Sequence, residues 1–214
     1  MENVLVTDFI AKVRAAIDEN EDSSDILATD QSNIDLSAII RHKILDAVRW
    51  VHIKAPQKYL DGVSFRTTPP VKNSDGSGYV PLPQDYMRFV IFRMEGWRRP
   101  VVVPLEESDS NYTAQGNPYT RGNIYHPVCV VSTSSSGAKV VEYYSLPSDQ
   151  AVHVIGVAQY IPLPAFTGEG DTETVAICEQ VIPAAAYMCA ALTLTAFNSA
   201  QSNVMTNLAT LMLE

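Results

Sequence analysis

The chain has 214 residues, 46% of them hydrophobic and 18% charged, and its 15 Lys and Arg against 24 Asp and Glu give a formal net charge of −9. That length suits one large domain or two small ones, and the apolar fraction excludes a disordered chain or a coiled coil. The acidity excludes a dedicated nucleic-acid binder, because phosphate contacts need a basic footprint.

Val6, Phe9, Ile10, Val13, Ala16 and Ile17 recur at helical spacing, so residues 7–20 read as a short amphipathic helix capped by Thr7 or Asp8. The Asp/Ser-rich stretch 18–33 reads as a mobile connection whose like charges resist compaction. A second helix starts with Asp35 as N-cap and puts Leu36, Ile39, Ile40, Ile44, Ala47, Val48 and Val51 on one face. Arg49, His52 and Lys54 suit the negative end of its dipole, and Pro56 stops it.

From 62 to about 170 the chain changes to short extended runs set off by Gly, Pro and Ser. Residues 79–82 are expected to be extended, and Pro83-Gln84-Asp85-Tyr86 to turn. Residues 88–94 and 97–103 read as a hairpin about Glu95-Gly96, with positive φ at Gly96 and with Pro100 and Pro104 placing the second run at an edge. A second hairpin joins 124–132 to 138–145 through a Ser/Thr run and Gly137. Residues 151–161, apolar on both faces, are expected beside it. Between the hairpins, 106–123 has no clear period, and so long a loop is usually a contact or disordered.

Helix is expected again from Glu173, capped by Asp171 or Thr172, interrupted at Pro183 and continuing over 184–197. After a break at Asn198-Ser199-Ala200, Val204, Leu208, Leu211 and Met212 return to helical spacing. The fold class is therefore α+β: a helical part from the N- and C-terminal helices (1–60 and 168–214) and a central antiparallel hairpin or small-sheet insertion (61–167). The insertion carries the long loop 105–125, and the whole is expected to be a single structural unit. No charged residue stands from Gln180 to Leu213. Its dense apolar part, 181–197, contains Pro183 and lacks flanking Lys or Arg, so it reads as a buried or interface helix and not a membrane span.

The charge is distributed unevenly. Residues 1–139 hold all 15 basic residues and 17 acids, net −2, whereas 140–214 hold 7 acids and no base, net −7. Cys129, Cys178 and Cys189 have no metal-ligand spacing, which argues against a disulfide framework or zinc site and for a reducing compartment. The Met-Glu-Asn-Val start lacks the features of a signal peptide. Without one, Asn111-Tyr112-Thr113 reads as an accidental glycosylation match.

Phosphate-loop, GxSxG and HExxH motifs are absent. A nucleophile–base dyad from His126 and Cys129 is disfavoured, since residues three apart on an extended segment face opposite ways. His42, His52 and His153 each stand alone, as solvated or satisfied histidines. No catalytic, cofactor-binding or metal-binding residue is expected, and no cofactor.

One basic cluster stands out, Arg88, Arg93, Arg98 and Arg99, with Arg88 and Arg93 expected on opposite faces of a strand. It reads as a solvated edge that discourages strand pairing, as salt bridges to an acidic partner or neighbouring copy, or as phosphate contacts. Trp97 joins it as an aromatic anchor, and Tyr112, Tyr119, Arg121 and Tyr125 of the long loop complete the candidate interface.

The order of features carries a resemblance. Two helices are followed by Tyr79-Val80-Pro81-Leu82-Pro83-Gln84-Asp85-Tyr86-Met87-Arg88, then by Gly116-Asn117-Pro118-Tyr119, Gly122-Asn123-Ile124-Tyr125 and Val140-Val141-Glu142-Tyr143-Tyr144-Ser145-Leu146-Pro147. Over most of residues 35–165 this resembles the head-to-tail adaptor, or tail-tube ring, proteins of short-tailed bacteriophages, including the ring proteins of crAss-like phages. The resemblance implies a virion structural protein of the neck or tail, assembled in the host bacterial cytoplasm as a homo-oligomeric, dodecameric ring. Its partners would be the phage portal protein above and the next tail or nozzle component below. Genomic DNA would pass through without specific binding, no membrane would be involved, and no chemistry would be done. The competing reading is a monomeric intracellular binding module or small enzyme using the 105–125 loop as a ligand site.

Overall fold

The computed structural model describes residues 1–20, 36–144, 146, 154–197 and 199–214. Asp35 as a cap, His153, Asn198 and the greater part of the expected 18–33 connection lie outside the described residues, as does the start of the 151–161 run. In chain order, β1 (Glu2–Leu5), α1 (Val6–Asn20) and α2 (Leu36–Lys54) come first. There follow β2 (Val63–Ser64), β3 (Val71–Lys72), β4 (Gly78–Pro81), β5 (Tyr86–Met94), β6 (Leu105–Glu106), α3 (Tyr112–Gln115), β7 (Cys129–Thr133), β8 (Lys139–Tyr143) and β9 (Ile155–Pro162). The chain closes with β10 (Phe166–Thr167), β11 (Thr174–Ile177), α4 (Ile182–Ala196) and α5 (Gln201–Leu211). The fold is α+β. It divides into two compact units, Met1–Leu60 with Pro164–Glu214, and Asp61–Leu163.

In the helical unit, α4 is buried on nearly every side: Ala184, Ala185, Ala186, Met188, Cys189, Ala190, Ala191, Thr193 and Leu194 are all covered. A helix apolar all round belongs in a core, and its neighbours here are α1, α2 and α5. Phe9, Val13 and Ile17 of α1 and Ile40, Ile44, Ala47, Val48 and Val51 of α2 are buried at the spacing that the sequence shows. Thr193, a fully buried polar side chain near the end of α4, is satisfied by donating to the carbonyl of Cys189 at 2.9 Å.

The ends of this unit differ from the expectation. Residues 174–177 form β11 instead of starting a helix at Glu173, so Asp171 and Thr172 cap nothing. The alternating side chains of β11 pair with β1 on one edge and β10 on the other, which is why 164–167 belong to the helical unit and not to the insertion. Pro183 lies in the first turn of α4 and kinks nothing, since a proline there lacks only an N–H that would have no helical partner. At the other end α1 starts at Val6, whose N–H donates to Glu173 O at 2.9 Å, so Thr7 and Asp8 sit inside the first turn.

The β unit holds two sheets, β2-β9-β5 and β3-β4-β8-β7-β6. The β7–β8 hairpin is the expected one, in register from Cys129↔Tyr143 to Thr133↔Lys139. Its turn closes through Ser134 N to Ala138 O at 2.9 Å, with Gly137 at φ 82°. Gly78 in β4 answers a different need: a Cβ there would overlap the Val71 carbonyl and the Tyr143 ring.

The other expected hairpin does not form. β5 pairs along its length with β9, and the 97–103 run meets β5 only at a Phe92–Val101 bridge, where the two residues exchange both backbone bonds at 2.9 and 2.8 Å. Positive φ falls at Gly76, Gly137, Gly168 and Gly170, and not at Gly96. Consequently β9 lies between β2 and β5 and not beside the β7–β8 hairpin. Between the sheets sits an aromatic core, with Phe92 edge-on to Trp97 at 5.7 Å and Phe65 stacked on Phe92 at 6.2 Å. No helix among the described residues is long and apolar enough to cross a membrane.

Candidate functional site

The basic cluster begins on β5, where alternation alone separates Arg88 from Arg93. The register skips Val90: Phe89 opposes Tyr160 and Ile91 opposes Gln159, so Val90 is an extra residue bulged out of the ladder. Arg88 then faces Ile161 and Arg93 faces Val157, four apart in β9, which puts the two arginines on the same face of the sheet. The sequence expectation of opposite faces is overturned by that one residue. Arg88 is half-buried, and burial lowers its pKa. Arg93 Nε donates to the Trp97 carbonyl at 3.1 Å, which fixes the turn that follows β5. Trp97 itself is 1% exposed in the aromatic core, so it is a packing residue and not an exposed anchor.

Beyond Trp97 the chain comes to the surface. Arg98, Arg99 and Pro100 are exposed, Val101 turns inward at its bridge to Phe92, and Val102 and Val103 are 47% and 75% exposed. Arg98 N donates to Ile124 O at 2.8 Å and the Arg99 guanidinium meets His126 Nδ1, which ties this run to the end of the long loop. Two arginines followed by two bare valines make a mixed charged and apolar patch on this unit.

The long loop is irregular but tightly bonded. Gln115, buried at the end of α3, donates to Asn111 O at 3.1 Å and accepts from Gly122 N at 3.0 Å. The side chains of Asp109, Asn117 and Asn123 each accept a backbone N–H two residues on. Arg121 reaches out of the loop to Asp75, 3.0 Å from the carboxylate and 2.5 Å from the carbonyl. The Ser77 hydroxyl and then Arg121 hold the Asp75 carboxyl below its ordinary range.

Tyr112 lies over β8, where Glu142 accepts from Ser132 Oγ at 2.7 Å and Tyr144 OH at 2.5 Å. Burial and the nearby Glu142 and Glu107 carboxylates raise the Tyr112 pKa. Tyr112 and Arg121 are thus structural fastenings of the loop, whereas Tyr119, 96% exposed, and Tyr125, 58% exposed, are displayed. The structure places Arg88 and Arg93 on one face of β5, opposite residues four apart in β9, and exposes the consecutive Arg98 and Arg99 after it.

Sequence reasoning missed the role of α5. Of the residues it noted there, Val204, Leu211 and Met212 are 46%, 65% and 44% exposed and Leu208 is half-buried, while Met205, Ala209 and Leu213 are the buried ones. The apolar spacing was readable, but both faces of α5 carry apolar residues, the outer one mixed with exposed Asn203, Asn207 and Thr210, and spacing does not say which one meets α4.

Cys129 is fully buried and burial raises its thiol pKa, whereas His126 is exposed on Arg99. The described residues contain no group of three or more His, Cys, Asp or Glu placed to hold a metal ion. Compared with known proteins, the chain matches no protein-family model and no curated protein sequence.

Proposed function

We propose that this chain is a virion structural protein, a head-to-tail adaptor that forms a homo-oligomeric ring below the portal of a short-tailed phage. It continues the DNA channel and docks the next tail component, and its net charge of −9 lets DNA pass without adhering. The observation that carries this reading is the outward apolar row of α5, Val204, Leu211 and Met212, in a stretch without one charged side chain from Gln180 to Leu213. A lone chain leaves that row in water, and a row of this kind marks a protein contact. The family-like phrase supports the reading from the other unit: Leu-Pro-Gln-Asp-Tyr forms a turn, Tyr86 N to Pro83 O at 3.1 Å, that launches the long strand β5.

The test is mass in solution. Native mass spectrometry or light scattering of the chain alone and with portal is expected to show a multi-copy ring. A monomer under both conditions sinks the proposal. A chain truncated after residue 200 is expected to lose the ring, and full ring formation by the truncated chain removes α5 as its support.

A further inference from the structure

We propose that segment 98–103 of one copy of this chain docks on the outer row of α5 and the acidic end of the α4–α5 hairpin of the next copy. The inference rests on the ring reading and names the two surfaces that would build it.

The first surface is on the β unit: Arg98 and Arg99 exposed, then Val102 and Val103 exposed. The Arg98 guanidinium makes no hydrogen bond or ion pair among the described residues. The second surface is on the helical unit. Residues 197–200 join α4 to α5, and Ser202 Oγ donates back to Ala191 O at 3.1 Å, so α5 returns along α4. Its last turn, with Leu211 and Met212 bare, therefore comes toward the start of α4, where Glu179 is exposed, and Glu214 follows directly.

The carboxylates of Glu179 and Glu214 have no hydrogen-bond or ion-pair partner among the described residues, and only their backbones are bonded, Glu214 N to Leu211 O and Ile182 N to Glu179 O. No countercharge can come from the neighbouring sequence, because residues 140–214 contain no Lys or Arg. Each surface thus sets two like charges beside two apolar side chains, with opposite signs on the two. Arginine suits this use, since its fork binds a carboxylate through two donors.

The occupant follows from the complementarity. Both halves are carried by every copy and lie on different units, so each copy can offer one while receiving the other. Such a contact is heterologous, the kind whose repetition builds a ring where its rotation closes. Charge at the rim sets orientation and the apolar pairs supply burial.

The experiment is charge reversal and restoration, read as the concentration dependence of mass by analytical ultracentrifugation. Arg98→Glu with Arg99→Glu is expected to weaken association at least ~10-fold, and Glu179→Lys with Glu214→Lys to do the same. All four changes in one chain are expected to restore assembly to within ~3-fold of the wild type. All four side chains are exposed, so folding is not at issue, and Val103→Ser with Leu211→Ser gives a charge-neutral second test that is expected to weaken assembly. A wild-type ring untouched by both reversals overturns this contact and leaves the ring reading standing. A wild-type chain that stays monomeric alone and with portal overturns both.

Discussion

In the helical unit the central helix α4 offers its neighbours Ala184, Ala185, Ala186, Cys189, Ala190 and Ala191, whereas the β unit is centred on Phe65, Phe92, Trp97, Tyr143 and Tyr160. Small side chains let helices approach closely but leave no slack for growth. Large rings fill the space between two sheets but leave a hole when removed. The same burial thus gives opposite sensitivities: one unit is intolerant of added volume, the other of lost volume.

The largest effect is expected in the β unit. Phe92, fully buried and touching both Phe65 and Trp97, should cost about 3–5 kcal/mol as Phe92→Ala, measured by denaturant unfolding. If Phe92→Ala costs under about 1 kcal/mol, the aromatic cluster is not the centre of that unit. The counterpart is Ala190→Leu in α4, fully buried and expected to cost about 1–3 kcal/mol by overpacking. A stabilised Ala190→Leu would mean that α4 is loosely packed, and the contrast between the units would fall.

The smallest effect concerns the polar fastening of the helical unit. Arg41 grips Glu173 through two bonds, 2.9 and 2.6 Å, while its guanidinium lies 4.8 Å from the Phe166 ring centre. Hydrogen bonding to Arg41, aided by its charge, holds the Glu173 carboxyl below its ordinary 4.5. A lowered folded-state pKa means that this stability is present above 4.5 and is lost as pH falls through the lower folded value. The melting temperature of wild type should therefore exceed that of Glu173→Gln slightly at neutral pH, and the two should converge in acid. A constant difference across that range would remove the ion pair as its cause.

What the sequence discloses depends on whether the deciding partner is local. α2 is legible because Ile40, Ile44, Ala47, Val48 and Val51 repeat within one element, and the β7–β8 hairpin because its turn lies between its strands. β1 and β11 are not legible, since four-residue strands separated by most of the chain carry no periodicity that reveals their pairing. The first hairpin was misassigned because β5 takes its partner from 155–162, and Pro100 says only that 97–103 is a poor strand. For the candidate interface, residue types were legible and directions were not. Trp97 turns inward, and the bulge at Val90 puts Arg88 and Arg93 on one face. A bulge is one uncounted residue and leaves no mark on composition.

The cysteines carry a last consequence. All three are free and buried, Cys129 in the β unit and Cys178 and Cys189 in the helical unit, with burial pushing the Cys189 thiol up to about 12. Thiols so shielded react with an alkylating reagent only when the structure around them opens. The chain therefore carries its own clock in each unit. Mass spectrometry of the three labelled peptides over time would show whether the two units open together or one at a time, without a single engineered residue.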